Sequence, residues 1–388
     1  MFHTLRPVIP DTVMNERPRF GRVWNFVAVS FVVVLVACTT VQVGLTPGDV
    51  MLAFAPDGSM VATAPTGDNT ILLLESRTLA ERGKLSGKSV TGKTATSVHS
   101  LEFSRDGTRL LAAGIDNTLI VWDVATRTEL FRRVDLNGVR QAAFSPDGML
   151  VAVAGPGFNA SLWRIDGQQQ VAQLKGHFAD VTAIAFSHDG NLIASGSADR
   201  TVRLWPLAQL EPVTLPEWHS STITGLTFSK DDALLAASAG NLTLWRVADR
   251  RSIAHALEPA PISQASSGVN ALATLLIIVA SARSMHLGGG PIGAPPIDGH
   301  ATAGGYAADL MTEFSPDGRL LAVLKRAPSS WGTSEVVIAE IAGNKVQRFT
   351  CECSSIAFRP DGRTIATAGK DGIRFWNPET ATPLPVSQ

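Results

Sequence analysis

Apolar and polar positions alternate in short runs along most of the chain, and one kind of turn separates the runs. Val181, Ala183 and Ala185 alternate with Thr182, Ile184 and Phe186, the two-residue period of a strand. A Ser, a variable residue, Asp189 and Gly190 follow Phe186. Pro, where present in such a turn, presets φ at its first central position, Asp bonds its own backbone and Gly accepts a positive φ, so the run predicts a tight hairpin. A second run, Leu192–Ser195, leads through an Asp-x-Thr turn into a third, Thr201–Trp205. A more polar segment, such as Gln169–Lys175, closes each unit. The pattern predicts an all-β chain of units with four short strands each.

The unit recurs. Phe54, Phe103, Phe144, Phe186, Phe228, Phe314 and Phe358 each open the same turn, with spacings of 49, 41, 42, 42, 86 and 44 residues. The interval of 86 is about twice the others. Val269–Thr274 aligns with Val181–Phe186 and runs on into the apolar Leu275–Val279, which marks a hidden sixth unit without its turn. Eight units from about residue 41 to 388 are therefore expected, or seven if residues 250–310 form an insertion. Four strands per ~40–45 residues is the spacing of propeller blades.

Gly176-His177, Phe186-Ser-x-Asp-Gly190, Ser195–Asp199 and Leu204-Trp205 together resemble a WD repeat, and the resemblance extends over about nine-tenths of the chain. It implies a WD-repeat β-propeller. It also implies a buried hydrogen-bonded set of His177, Ser195 (or Ser197), Asp199 and Trp205. The physics suits such a set, because a buried carboxylate is costly unless paired and a buried indole N–H needs an acceptor. Only the fourth unit has every member. The second has Asp116, Trp122 and the Trp122-Asp123 dipeptide, while the fifth has His219 and Trp245 but Ala239 where Asp is expected. Ring closure in this family uses an N-terminal strand. Thr40–Leu45 has strand chemistry, and the tail from Glu379 carries Pro383 and Pro385, so residues 40–45 are expected to pair with the strand ending at Trp376.

The first 37 residues obey a different rule. A basic segment with Arg6, Arg17, Arg19 and Arg22 precedes an apolar run from Val23 to Ala37. That is short for a spanning helix and suits the core of a secretory signal. Leu35-Val36-Ala37-Cys38 resembles the lipobox of bacterial lipoproteins, which implies cleavage before Cys38 and acylation of its thiol. Met14 offers an alternative start with an n-region of more usual length. An uncleaved anchor extended through Val41–Leu45 is the competing reading, and no targeting role is a third. Residues 1–37 are thus a signal peptide or membrane anchor and 38–388 the propeller. Both membrane readings place the ring in the cell envelope, facing the periplasm or exterior, because the arginines stay inside.

Composition narrows the function. Lys and Arg total 33 against 34 Asp and Glu, a net charge of -1, so no basic excess points to nucleic acid. Gly87–Thr94 matches the phosphate-loop pattern letter for letter. The residues after Thr94 are β-like, whereas the mechanism needs a helix there. The segment reads as a loop whose lysines, with Lys84, offer contacts to an anionic partner. Cys351 and Cys353 leave three readings open: inert structural residues, a disulfide or a soft-metal pair. The Asp-Gly pairs are explained as turns, and the matching positions of His177 and His219 argue for fold. Met285–Tyr306, rich in Gly and Pro, reads as a long loop leaving the degenerate sixth unit.

No catalytic set, metal site or cofactor is expected. The expectation is a membrane-tethered scaffold for protein–protein interaction outside the cytoplasm, with its partner and binding residues unknown. A structural component of envelope assembly is the alternative, and a propeller enzyme such as a hydrolase or quinone-dependent oxidoreductase the remoter one.

Overall fold

A computed structural model describes residues 50–64, 70–86, 98–115, 118–134, 138–216, 219–239, 242–255, 310–326, 333–343, 345–370 and 372–386. All of them belong to one compact unit, Thr39–Gln388. The leader, the lipobox cysteine Cys38, residues 40–45, Asp116, residues 87–97 and the Gly/Pro-rich stretch lie outside the described residues.

Every described strand lies in one of seven four-stranded antiparallel sheets, and each sheet is a simple meander in chain order. The sheets span residues 51–86, 100–133, 141–175, 181–214, 225–255, 310–351 and 353–384 and are blades 1 to 7. The first strand of each blade lies beside the first strand of the next, round to blade 7 and back to blade 1. These seven strands line the centre of the ring. The only helical element among the described residues is a 3-10 turn, Asp166–Gln168.

The repeated turn builds each hairpin as its chemistry requires. Its Gly takes a positive φ, from +67° at Gly148 to +74° at Gly190. The recurring Ser is a clamp: Ser187 Oγ donates to Asp189 Oδ1 (2.6 Å) and accepts the Leu192 N–H (2.9 Å). Ser104, Ser145, Ser229 and Ser315 repeat the arrangement. The serine hydrogen bond is the main reason why the carboxyls of Asp106, Asp189 and Asp231 sit below the usual carboxylate range.

Each of the seven junctions between neighbouring blades has its own buried apolar cluster. The third-strand Trp122, Trp205, Trp245 and Trp376 each pack against the preceding blade. Small residues let the sheets approach closely. A side chain on Gly196 would collide with Ile223, which leads into blade 5; within blade 7, one on Gly369 would lie 2.5 Å from Cys353 Cα of the paired strand. Cys351 ends blade 6 and Cys353 begins blade 7, so the chain crosses in the single residue Glu352.

Two expectations are corrected. The ring has seven blades, the stated alternative, and an eighth is excluded by packing. Ala236, Leu242 and Leu244 of blade 5 share a core with Leu310, Phe314 and Leu321 of blade 6. Ser238 Oγ and Thr224 Oγ1 both donate to the Leu310 carbonyl, at 3.0 and 3.4 Å. No sheet fits between blades that already touch, so residues 256–309, which include Val269–Val279, are an insertion between them.

Closure is the second correction. The strand Gly372–Asn377 pairs on its outer side with Thr382–Leu384 of the C-terminal tail, the edge expected for residues 40–45. Pro383 is tolerated because an outermost strand need not bond on its far side. Blade 7 thus has four strands of its own, and among the described residues the ring is joined by side chains. Val50, Leu52, Val61 and Leu74 of the first blade pack on Ala357, Ala366, Ile373 and Phe375 of the last. Ser354 Oγ accepts the Val50 N–H at 2.8 Å, and Arg359 reaches Ser76 Oγ at 3.1 Å. Arg359 stands where other turns have the clamp serine, so this junction exchanges one clamp for a cross-blade tie.

Candidate functional site

In a meander of four antiparallel strands, the first–second and third–fourth connections lie at one end. The second–third connections and the links to the next blade lie at the other. On that second face, at blade 4, the structure brings His177, Ser195, Asp199 and Trp205 together. His177 Nδ1 is 2.9 Å from Asp199 Oδ2, and its Nε2 is 2.7 Å from Ser195 Oγ. The Trp205 indole N–H donates to the same Ser195 Oγ at 2.7 Å. Ser197 is not part of this chain of bonds; its Oγ donates to the Ala179 carbonyl (3.1 Å) and accepts the Asp199 N–H (3.0 Å).

Thr201 is a fifth member. Its hydroxyl donates to Asp199 Oδ1 at 2.7 Å and its backbone N–H to the same oxygen at 2.9 Å. The Asp-x-Thr turn in the sequence was the signal for it. Burial works against the Asp199 carboxylate, but the bonds from His177, Thr201 and the Phe178 N–H outweigh it and hold the carboxyl well below the usual range. The His177 and Asp199 side chains are 0% and 6% exposed, so this is an internal brace rather than a reactive site.

Other blades have parts of the brace. In blade 5 the His219 and Trp245 rings meet edge to face with centroids 5.3 Å apart. Ala237 occupies the position of Ser195, and Trp245 Nε1 has no acceptor among the described residues. In blade 7 Thr367 replaces the serine and accepts from Trp376 Nε1 at 3.0 Å. In blade 2 Trp122 is buried, and Asp123 caps the next turn through Thr126.

The brace dictates where the residue after His177 goes. Asp199 Oδ2 accepts the Phe178 N–H at 2.9 Å, and the Phe178 side chain points outward, 78% exposed. Arg203 lies over its ring with 5.7 Å between guanidinium carbon and centroid. Arg203 Nε is buried without a hydrogen-bond partner among the described residues. The adjoining loop of blade 3 carries Phe158, 53% exposed. Phe158 has φ +70°, a strained value for a bulky side chain. The two loops are joined by Gly157 N–H to Asp180 Oδ1 (3.3 Å) and Val181 N–H to the Gly155 carbonyl (3.1 Å). Lys175 and Arg200 are exposed beside them. Sequence patterning gave no sign of this patch, because Phe178 reads like any apolar residue between strands.

The inner strands carry two carboxylates where other units have Ala or Thr. Glu102 accepts the Phe144 N–H of blade 3, and Glu313 the Phe358 N–H of blade 7, each at 3.2 Å. Burial pushes both carboxyls up to about 8, opposed by that single backbone bond. Gln141 serves in the same way, accepting the Ile184 N–H at 2.9 Å. These groups satisfy free inner edges of the next sheet: Glu102 of blade 2 is bonded to blade 3, and Glu313 of blade 6 to blade 7.

Cys351 and Cys353 are bonded to each other. Among the described residues no three or more His, Cys, Asp or Glu side chains cluster as a metal site would require. The phosphate-loop pattern lies outside the described residues apart from its flanks. On the far flank the chain enters the strand Ser100–Phe103, and on the near one Lys84 lies 3.5 Å from Glu81.

The WD domain, G-beta repeat family model matches residues 85–123, 168–206, 211–246 and 343–377. Its repeat is offset by one strand from the blade, since each of the last three matches begins in or beside the outer strand of one blade and ends with the third strand of the next. The chain is similar to the periodic tryptophan protein 2 homolog of Neurospora crassa, 29% identical over 126 residues, which are 32% of this chain and 13% of that protein. It is also similar to the guanine nucleotide-binding protein subunit beta of Saccharomyces cerevisiae, 31% identical over 93 residues, 22% of each chain. The chain thus spans less than a quarter of the length of these curated relatives.

The brace and the inner carboxylates each make a measurable prediction. Asp199→Ala leaves His177, Thr201 and the Phe178 N–H without their acceptor and is expected to cost about 2–4 kcal/mol in denaturant unfolding. Asp123→Ala, at an exposed turn, is expected to cost far less, and equal losses would refute the brace. The carboxyls of Glu102 and Glu313 ionise near pH 8 when folded and near their ordinary value of 4.5 when unfolded. The unfolded chain therefore releases protons that the folded chain retains, and stability falls as pH rises from about 4.5 to 8. Glu102→Gln with Glu313→Gln retains the acceptor oxygens and should flatten that slope. At pH 8 the gain should be about 1–3 kcal/mol per site, well below the full shift because both side chains keep some exposure to solvent. Parallel pH–stability curves for variant and parent would contradict it.

Proposed function

We propose that this seven-bladed WD-repeat propeller is a protein–protein interaction scaffold, tethered to a membrane and held outside the cytoplasm. The observation that carries the scaffold reading is the exposed Phe178, set on a rigid internal brace at the loop-bearing face. Rigid elements that present apolar loop residues to solvent suit recognition of another protein. The buried and inner-strand titratable groups described above already satisfy turns, the brace or neighbouring sheet edges, so the reading needs no reacting group. Likeness to a protein named as a subunit is in keeping with work inside an assembly.

The tether rests on the sequence. A basic segment, the apolar Val23–Ala37 run and Cys38 at its end have the order of a lipoprotein signal. The lipid on Cys38 holds the ring to the envelope membrane, facing the periplasm or exterior, and the protein partner meets the ring there.

Fractionation of cells making the full chain tests both parts. The protein should sediment with membranes, resist high salt, dissolve in detergent and show by mass spectrometry an acylated Cys38 as its first residue. Cys38→Ala should move it out of that fraction. A second protein should co-purify at fixed stoichiometry. A soluble chain that begins at Met1 or Met14 would contradict the tether, and a purified ring that turns over a substrate without a partner would contradict the scaffold.

A further inference from the structure

We infer that the Phe158–Phe178 patch between blades 3 and 4 is a docking site for an acidic peptide segment carrying an aromatic or branched apolar residue. The inference rests on the scaffold reading and names the chemistry of its partner. Three observations point the same way. Phe178 and Phe158 are two of the five large apolar side chains exposed among the described residues, and they stand on loops tied to each other. The Phe178 backbone is held by Asp199, which His177 in turn fixes, and its ring stands in solvent. Phe158 stays outward although its backbone is strained, and strain of that kind persists where the surroundings over-determine it, often at binding sites.

Charge selects the partner. Arg203 covers one ring, is half-buried, and is engaged by no carboxylate among the described residues. Lys175 and Arg200 flank it in solvent. Of the nearby acids, Asp199 is bound in the brace and Asp180 accepts the Gly157 N–H, while Glu211, next to Pro212, is exposed and pairs with no cation among the described residues. The patch therefore offers apolar rings beside Arg203, a cation that no carboxylate pairs among the described residues. A carboxylate placed on Arg203 with an apolar side chain laid against Phe178 would complete both, a charge-assisted bond beside a desolvated anchor. The chain's net charge of -1 and the small number of cations at this spot argue against a nucleic acid, whose binding depends on neutralising many phosphates.

Fluorescence anisotropy with the full chain in detergent tests the site. The probe is a labelled peptide of alternating Glu and Gly with one central Trp-Leu pair. Controls are the same peptide with Lys for Glu, a poly-dT oligonucleotide, and vesicles of phosphatidylcholine with phosphatidylglycerol. The acidic peptide should bind and the lysine peptide should not. Phe178→Ala should weaken binding at least tenfold, and Arg203→Gln should weaken it and reduce its salt dependence. Phe178→Leu should retain most of it. Phe178 is exposed, so unchanged melting of its variants shows that the fold survives. Absent binding, equal binding by Phe178→Ala, or tighter binding of the oligonucleotide or the anionic vesicles would overturn the inference. The scaffold reading is tested separately: a native complex that co-purifies unchanged with Phe158→Ala/Phe178→Ala overturns this site and leaves the scaffold standing.

Discussion

Face-to-face packing between neighbouring sheets is the constraint on which the molecule depends. A blade of four short strands has two apolar faces and cannot bury either alone. Each face is covered only if a neighbour stands on both sides, so the last blade must meet the first. Seven clusters of buried side chains do this around the circle, and the one joining blades 7 and 1 is built like the rest. Among the described residues no strand is exchanged across that junction. Val50, Leu52, Ile373 and Phe375 hold it, helped by Ser354 and Arg359.

Rigidity of the ring reaches the surface through hydrogen bonds. Trp205 is packed against blade 3, and its indole holds Ser195. Ser195 holds His177, His177 holds Asp199, and Asp199 holds the backbone of Phe178. A core contact is thus relayed in four steps to an exposed aromatic ring. Hydrogen bonding of the same structural kind occupies most of the charged groups that resemble reactive ones. The turn aspartates bond their serines and the next backbone N–H, and the inner glutamates bond the edge of the next sheet.

Local rules were legible in the sequence because they act over a few residues. The alternation, the Ser-x-Asp-Gly hairpin and the terminal Trp gave the blade, and His177, Ser195, Asp199 and Trp205 gave a hydrogen-bonded set that the structure brings together. The number of blades was not legible in the same way. Leu275–Val279 has strand chemistry, and nothing within it reports that Leu310 already packs on blade 5. Closure failed for a related reason: Pro383 and Pro385 argued against a strand, but the outermost position requires hydrogen bonds on one side only. Glu102 and Glu313 stood in plain view as the charged exceptions on inner strands. Exposure of Phe178 is a property of its backbone partner, which no pattern along the chain encodes.

Hydrogen exchange of the full chain, read by mass spectrometry, tests directly whether each blade is complete and the ring is closed by side-chain packing. Segment 372–377 and the first strand, residues 51–54, should exchange slowly, and a chain ending at residue 378 should lose that protection at both places while blades 3 and 4 remain protected. If the shortened chain stays protected, and deletion of residues 40–45 exposes segment 372–377 instead, the last blade borrows its outer strand from the N-terminal side and closure by side chains alone is wrong.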